Sequence, residues 1–167
     1  MAFSLRAFFQ LESELTSPLD LSTVSSPTGL SQQMNFAQGA GAGQADMVFG
    51  DRRTIAASAT DSLDLAGGLT GPFGAALTFA RIKMLVVRAV AGNTNNVNAT
   101  RPASNGVPWL LAAGDGIAVQ PGGMFVWHAP TAAGVVVTPS TGDLIDFVNS
   151  GAGTTVTYDV IIAGAAT

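Results

Sequence analysis

From residue 47 onward the chain is a succession of short stretches in which apolar and polar residues alternate, each cut off by Gly, Pro or Asn, and this punctuation restricts the fold most. Side chains alternate across a strand, so a period of two marks a half-buried strand. Residues 155–162 show it best: Val156, Tyr158, Val160 and Ile162 oppose Thr155, Thr157 and Asp159. Arg53 and Ile55 share a face opposite Arg52 and Thr54, and Leu63 and Leu65 point inward from Ser62 and Asp64. Residues 82–90 are apolar on both faces, with Ile82, Met84 and Val86 on one and Leu85, Val87 and Ala89 on the other. That pattern places them centrally in a sheet covered on both sides. Between strands, Gln120-Pro121-Gly122-Gly123 has Pro and Gly at the centre of a type II turn. The expected fold is all-β, a jelly-roll-like β-sandwich of about eight to ten short strands at spacings of ~8–12 residues. Long irregular connections such as 91–116 argue against an up-and-down barrel, and the lack of a fixed period argues against a propeller or solenoid.

Residues 1–46 have a different character and are expected to form an extended N-terminal arm ahead of the 47–167 sandwich. Leu5, Phe8, Phe9 and Leu15 make a partial helical stripe, so a short helix is expected within residues 1–15. Beyond it, Pro18, Pro27 and many Ser and Gln residues leave little for an isolated core, and disorder is the alternative by composition. Yet Leu19, Leu21, Val24, Leu30, Met34 and Phe36 are spread along it, and a purely solvated linker has little use for them. An arm ordered by lying on another surface accounts for them, with Gly39-Ala40-Gly41-Ala42-Gly43 as its hinge. The expected anchors are Phe8, Phe9, Leu19, Leu21, Met34 and Phe36.

Charge narrows the partners. Asp, Glu, Lys and Arg make up only 11% of the chain, too little ionic surface to cover a soluble monomer well, which points to burial against sister subunits or a larger assembly. Net charge is −4, and no Lys or Arg follows Arg101, so nucleic-acid binding is not expected. Arg52-Arg53 is a pair rather than a basic patch, read as solvated residues or a subunit ion pair. The absence of cysteine excludes disulfides and thiolate chemistry. No apolar run is long enough to cross a bilayer as a helix, and Glu12 and Glu14 interrupt the N-terminal one, so neither a membrane span nor a signal peptide is expected.

No constellation suggests catalysis, and neither a cofactor nor a metal is expected. His128 is the only histidine and reads as a strand-end residue bonding a loop carbonyl. Asp61/Asp64 and Asp143/Asp146 are three apart, which on a strand sends each pair to opposite faces, so neither converges as an acid/base pair. Loop oxygens near Asp115 or Thr141-Gly142 could serve calcium, but no spaced acidic motif accompanies them. The Gly-rich strings GAGAG and GGLTGPFG lack the Lys-Ser/Thr of a phosphate loop. Trp109 and Trp127, with Tyr158, are candidate glycan-stacking or interface aromatics, although packing is the commoner fate of such residues.

Three stretches carry a family resemblance: FGDRRTIAASATDSLDLAGGLTGPFGAALTFARIKMLVVRAVAGNTNNV, AVQPGGMFVWHAP and TGDLIDFVNSGAGTTVTYDVIIAG. An R-x-I-A strand, an L-D-L-x-G-x-L turn, a P-G-G turn and a final V-T-Y-D-V-I-I-x-G strand occur in this order. In this the chain resembles the virion structural proteins of tailed bacteriophages, most of all small jelly-roll head decoration (cement) proteins. The resemblance implies a protein assembled in the host cytoplasm that binds the outer head surface and bridges major capsid protein subunits. It also implies a homo-oligomer, a trimer ahead of a dimer. A tail-fibre or tail-tip domain recognising a host glycan is the alternative. Residues 1–46 lie outside the resemblance.

Overall fold

The computed structural model describes residues 3–167; residues 1 and 2 of the expected helix lie outside them. The fold is all-β, and none of the described residues is helical. Four strands, β1 (Ser4–Pro18), β2 (Thr23–Gln38), β3 (Gln44–Ala45) and β4 (Met47–Ile55), lead into the body. It continues through β5 (Thr60–Asp64), β6 (Ala66–Thr70), β7 (Ala76–Thr78), β8 (Arg81–Ala89), β9 (Val97–Thr100), β10 (Gly116–Val119) and β11 (Met124–His128). β12 (Val135–Val136), β13 (Leu144–Asn149) and β14 (Val156–Ala165) complete it.

Two antiparallel sheets make the sandwich. One has the order β11-β8-β14-β4, with β12 also pairing β8, and the other β10-β9-β13-β5; β6 and β7 form a separate ribbon. Between the sheets lie Leu85, Val87, Val160, Ile162 and Phe49 from the first and Leu63, Val97, Ala99, Ile145 and Phe147 from the second. The last long strand, β14, does not close the sheet: it runs between β8 and β4 and shares the centre with β8.

The strand expected to be most central needs one correction. Met84 pairs with Ala163 and Ile82 with Gly164, which leaves Lys83 as the extra residue of a bulge. A bulge changes the parity of alternation. Ile82 therefore joins Leu85 and Val87 in the core instead of sharing the outer face with Met84 and Val86. At the end of β10, Gly122 has φ of 77° and the Gly123 amide donates to the Gln120 carbonyl at 2.8 Å, the type II turn expected of Pro-Gly.

Asn149, buried at the end of β13, ties together the loops at one end of the sandwich. Its side-chain amide donates to the carbonyls of Ala56 (3.0 Å) and Thr154 (2.8 Å), and its oxygen accepts from Asn95 Nδ2 and the Gly151 amide. Nearby, Asn93 bonds both backbone groups of Thr157 at 2.8 Å, imitating a strand neighbour.

Candidate functional site

The N-terminal arm is a long β-hairpin, not a helix followed by coil. β1 and β2 pair antiparallel without interruption from Ser4↔Ala37 to Pro18↔Thr23. At a rise of ~3.4 Å per residue it is roughly 50 Å long. The helical stripe read from Leu5, Phe8, Phe9 and Leu15 gives way to a period of two. Leu5, Ala7, Phe9, Leu11 and Leu15 share one face with Phe36, Met34, Leu30 and Val24. The other face carries Arg6, Phe8, Gln10, Glu12 and Glu14 with Asn35, Gln33 and Ser31. Ser25 Oγ donates to Glu14 at 2.6 Å, and Gln10 donates to Glu12.

Only the base of the apolar face is covered. Phe36, 2% exposed, packs with Ala45, Met84 and Ala163 on the outer face of the larger sheet, and Leu5, Ala7, Met34 and Val86 surround them. Past Ala7 and Met34 the same face is open. Phe9, Leu11, Val24 and Leu30 are exposed, Leu15 is 75% exposed, and at the tip Leu19 is exposed and Leu21 fully so. Of the expected anchors, then, Phe9, Leu19 and Leu21 are free for another surface, and Phe8 is free on the polar face. Phe36 is buried against the protein's own sheet and Met34 packs beside it, so neither is available as an outward anchor.

The expected hinge is a clamp. Lys83, 0% exposed, points its ammonium into the GAGAG loop and donates to the carbonyls of Gly41 (2.6 Å), Ala40 (2.7 Å) and Gln44 (2.8 Å). Burial, and then the charge of Arg81, push its pKa below the usual lysine value. The Gly43 amide donates to the Pro130 carbonyl at 2.8 Å, Gly41 N–H donates to Gln44 Oε1, and β3 pairs in parallel with the end of β2. Gly43, at φ of 64°, takes a left-handed conformation that a side chain would strain. The hairpin thus leaves the body at a fixed place.

Two ion-pair groups flank the first sheet. On its outer face Asp159 accepts from Arg52 Nε (2.6 Å) and from Arg88 (2.5 Å), and the Arg52 hydrogen bond leads in holding its pKa down to about 2. Two cations share that carboxylate. On the inner face Arg53 forks onto Asp61 at 2.6 and 2.9 Å, and the Tyr158 hydroxyl donates to the same carboxylate at 2.9 Å. Burial works against the charged form of Asp61, but the Arg53 and Tyr158 hydrogen bonds outweigh it and keep its pKa below the usual value. Burial, then Asp61, raises the phenol of Tyr158, which also stacks on Phe147 at 4.6 Å. Arg52 and Arg53 are therefore not one basic patch: they lie on opposite faces, Arg52 paired with Asp159 and Arg53 with Asp61 and, at 3.0 Å, Asp51.

The other sequence candidates are largely structural. Trp109 is 5% exposed and packs on Phe125 at 6.0 Å, whereas Trp127 is half-buried against the same core and reaches the surface in part. His128 does not bond a loop carbonyl through Nε2; that atom is buried without a partner, and the ring meets Phe36 edge-on at 5.3 Å. Burial lowers its pKa, favouring the neutral imidazole. Asp143 Oδ2 accepts from the Ser140 amide at 2.6 Å, Asp146 from Ser62, and Asp64 from the Ala66 amide, each a local turn or cross-strand bond. Among the described residues no three His, Asp or Glu side chains gather to hold a metal ion, and no helix is long and apolar enough to cross a membrane.

Sequence reasoning missed the clamp and Asn149. A lone lysine inside I-K-M-L-V-V, the most apolar strand, was the available signal for the first: a buried ammonium needs several acceptors. Comparison with family models, curated proteins and solved structures finds no match.

Proposed function

We propose that this chain is a structural protein of a tailed-phage virion that binds the outer head surface and bridges neighbouring major capsid protein subunits. The observation that carries the reading is the hairpin: a roughly 50 Å ribbon, fixed at its base and open along an apolar face to a tip with two exposed leucines. An isolated two-stranded ribbon is marginal in water, so such a ribbon is stabilised by what it touches. With the sandwich on one subunit and the hairpin tip on the next, each contact raises the effective concentration for the other.

The strand orders β4-β14-β8-β11 and β5-β13-β9-β10 support reading the sandwich as a jelly roll, because the chain moves between sheets as a double Greek key does. Jelly rolls serve many functions, so this is support by analogy. The resemblance of residues 47–167 to head decoration proteins adds the setting.

The test is co-sedimentation with heads stripped of this protein. The full chain is expected to bind, and a chain in which Gln10 and Ser31 are joined by Asn-Gly, removing the distal hairpin, is expected to lose at least tenfold in affinity. Equal binding by the two chains would remove the hairpin from the account.

A further inference from the structure

We infer that the distal apolar face of the hairpin is a self-association surface whose occupant is the same face of another copy of this chain. The face continues one that the protein already uses. At the base, Leu5, Ala7, Met34 and Phe36 sit against Met84, Ala163 and Val86; beyond it, Phe9, Leu11, Leu15, Leu30 and Val24 extend the stripe with nothing over it. The open part measures roughly 30 Å by 10 Å, the few-hundred-Å² scale at which an exposed apolar patch marks a contact surface.

Charge selects a copy of the chain as the occupant. Every ionisable side chain of the two hairpin strands, Arg6, Glu12 and Glu14, projects from the opposite face, and Asp20 lies in the tip. Two such stripes can meet without burying a charge, and their acidic faces remain in water on the outside. Length agrees as well. A partner hairpin presents the same pattern over the same distance: Phe9, Leu11 and Leu15 on one strand and Leu30 and Val24 on the other, with Leu11 directly opposite Leu30 and the uncharged Ser13, Ser26, Thr28 and Gln32 between them. The base, clamped by Lys83 and seated through Phe36, holds each hairpin at one angle to its body. The ordering cost of association is correspondingly small.

This inference does not depend on head binding and is tested without heads. The mass of the purified full chain is measured by sedimentation equilibrium across a concentration series, beside Leu11→Glu/Leu30→Glu on the apolar face and Gln10→Glu/Gln33→Glu on the polar face. The parent chain and the polar-face variant are expected to sediment as dimers or trimers, and the apolar-face variant as a monomer. Near-ultraviolet signals from Trp109, Trp127 and Tyr158 report that the body of each variant keeps its fold, and slowed amide exchange along β1 and β2 reports that its hairpin stays paired. A monomeric parent chain, an apolar-face variant of undiminished mass, or a polar-face variant that dissociates would overturn the inference. The last outcome would place the contact on the other face, and a monomer that still binds heads would give the stripe to the shell.

Discussion

Tyr158 reaches from the core to the margin of the first sheet, where its hydroxyl and the Arg53 fork hold one carboxylate, Asp61. A hydrogen bond to a charged group contributes about 1.5–3 kcal/mol, so Tyr158→Phe is expected to lower stability by about that much in urea unfolding followed by tryptophan fluorescence. An unchanged midpoint would show the hydroxyl to be idle. Asp61 and Asp159 both have pKa values below that of an unfolded aspartate, about 3.9. In acid the unfolded chain therefore takes up protons first. Their stabilisation is complete above about pH 4 and is lost as pH falls toward the Asp159 value of about 2. Asp159→Asn is expected to flatten the stability profile over that interval, as read from thermal midpoints at stepped pH. The sequence showed which face each of these residues takes, because Arg52 and Arg53, like Tyr158 and Asp159, are neighbours on an alternating strand. The carboxylate shared by Arg53 and Tyr158 was not legible: Asp61 meets Tyr158 across 97 positions of chain, and such pairings depend on the sheet order.

At the scale of elements, the hairpin and its seat pack as a cluster of their own, apart from the core between the two sheets. Lys83→Met removes the three ammonium hydrogen bonds to the GAGAG loop and strands their carbonyls. Faster amide exchange and new protease cleavage are expected within residues 39–45, while amides of β13 keep their protection. Loss of protection throughout the body would contradict that division. Phe36→Ala is expected to destabilise by about 3–5 kcal/mol if its site cannot collapse, with the loss concentrated in the hairpin base. The period of two in Leu5, Ala7, Phe9, Leu11 and Leu15 was present in the sequence. Phe8 beside Phe9 blurred it into a helical stripe, and nothing local marked the pairing of β1 with β2. In the body, turn chemistry made boundaries readable, as Gln120-Pro121-Gly122-Gly123 shows. The Lys83 bulge was hidden because a run apolar on both faces gives no parity to read.

The whole molecule joins a low-charge sandwich to a rigidly seated ribbon, and its exposed apolar surface lies chiefly along that ribbon. The sandwich class followed from alternation and punctuation, since both reflect the backbone directly. The exposed apolar surface of the arm was legible only as a set of residues, Phe9, Leu19 and Leu21 among them, because the hairpin decides which of them remain outside. Phe36 and Met34 show the difference: apolar like the rest, they face the body. The central claim, that the hairpin fixes this protein to the outside of a phage head, is tested most directly by a cryo-EM map of the virion. The sandwich is expected on the outer head surface at a copy number proportional to that of the major capsid protein, with the hairpin tip in contact with a neighbouring subunit. A head surface without it, or a few copies at the tail tip, would contradict that claim.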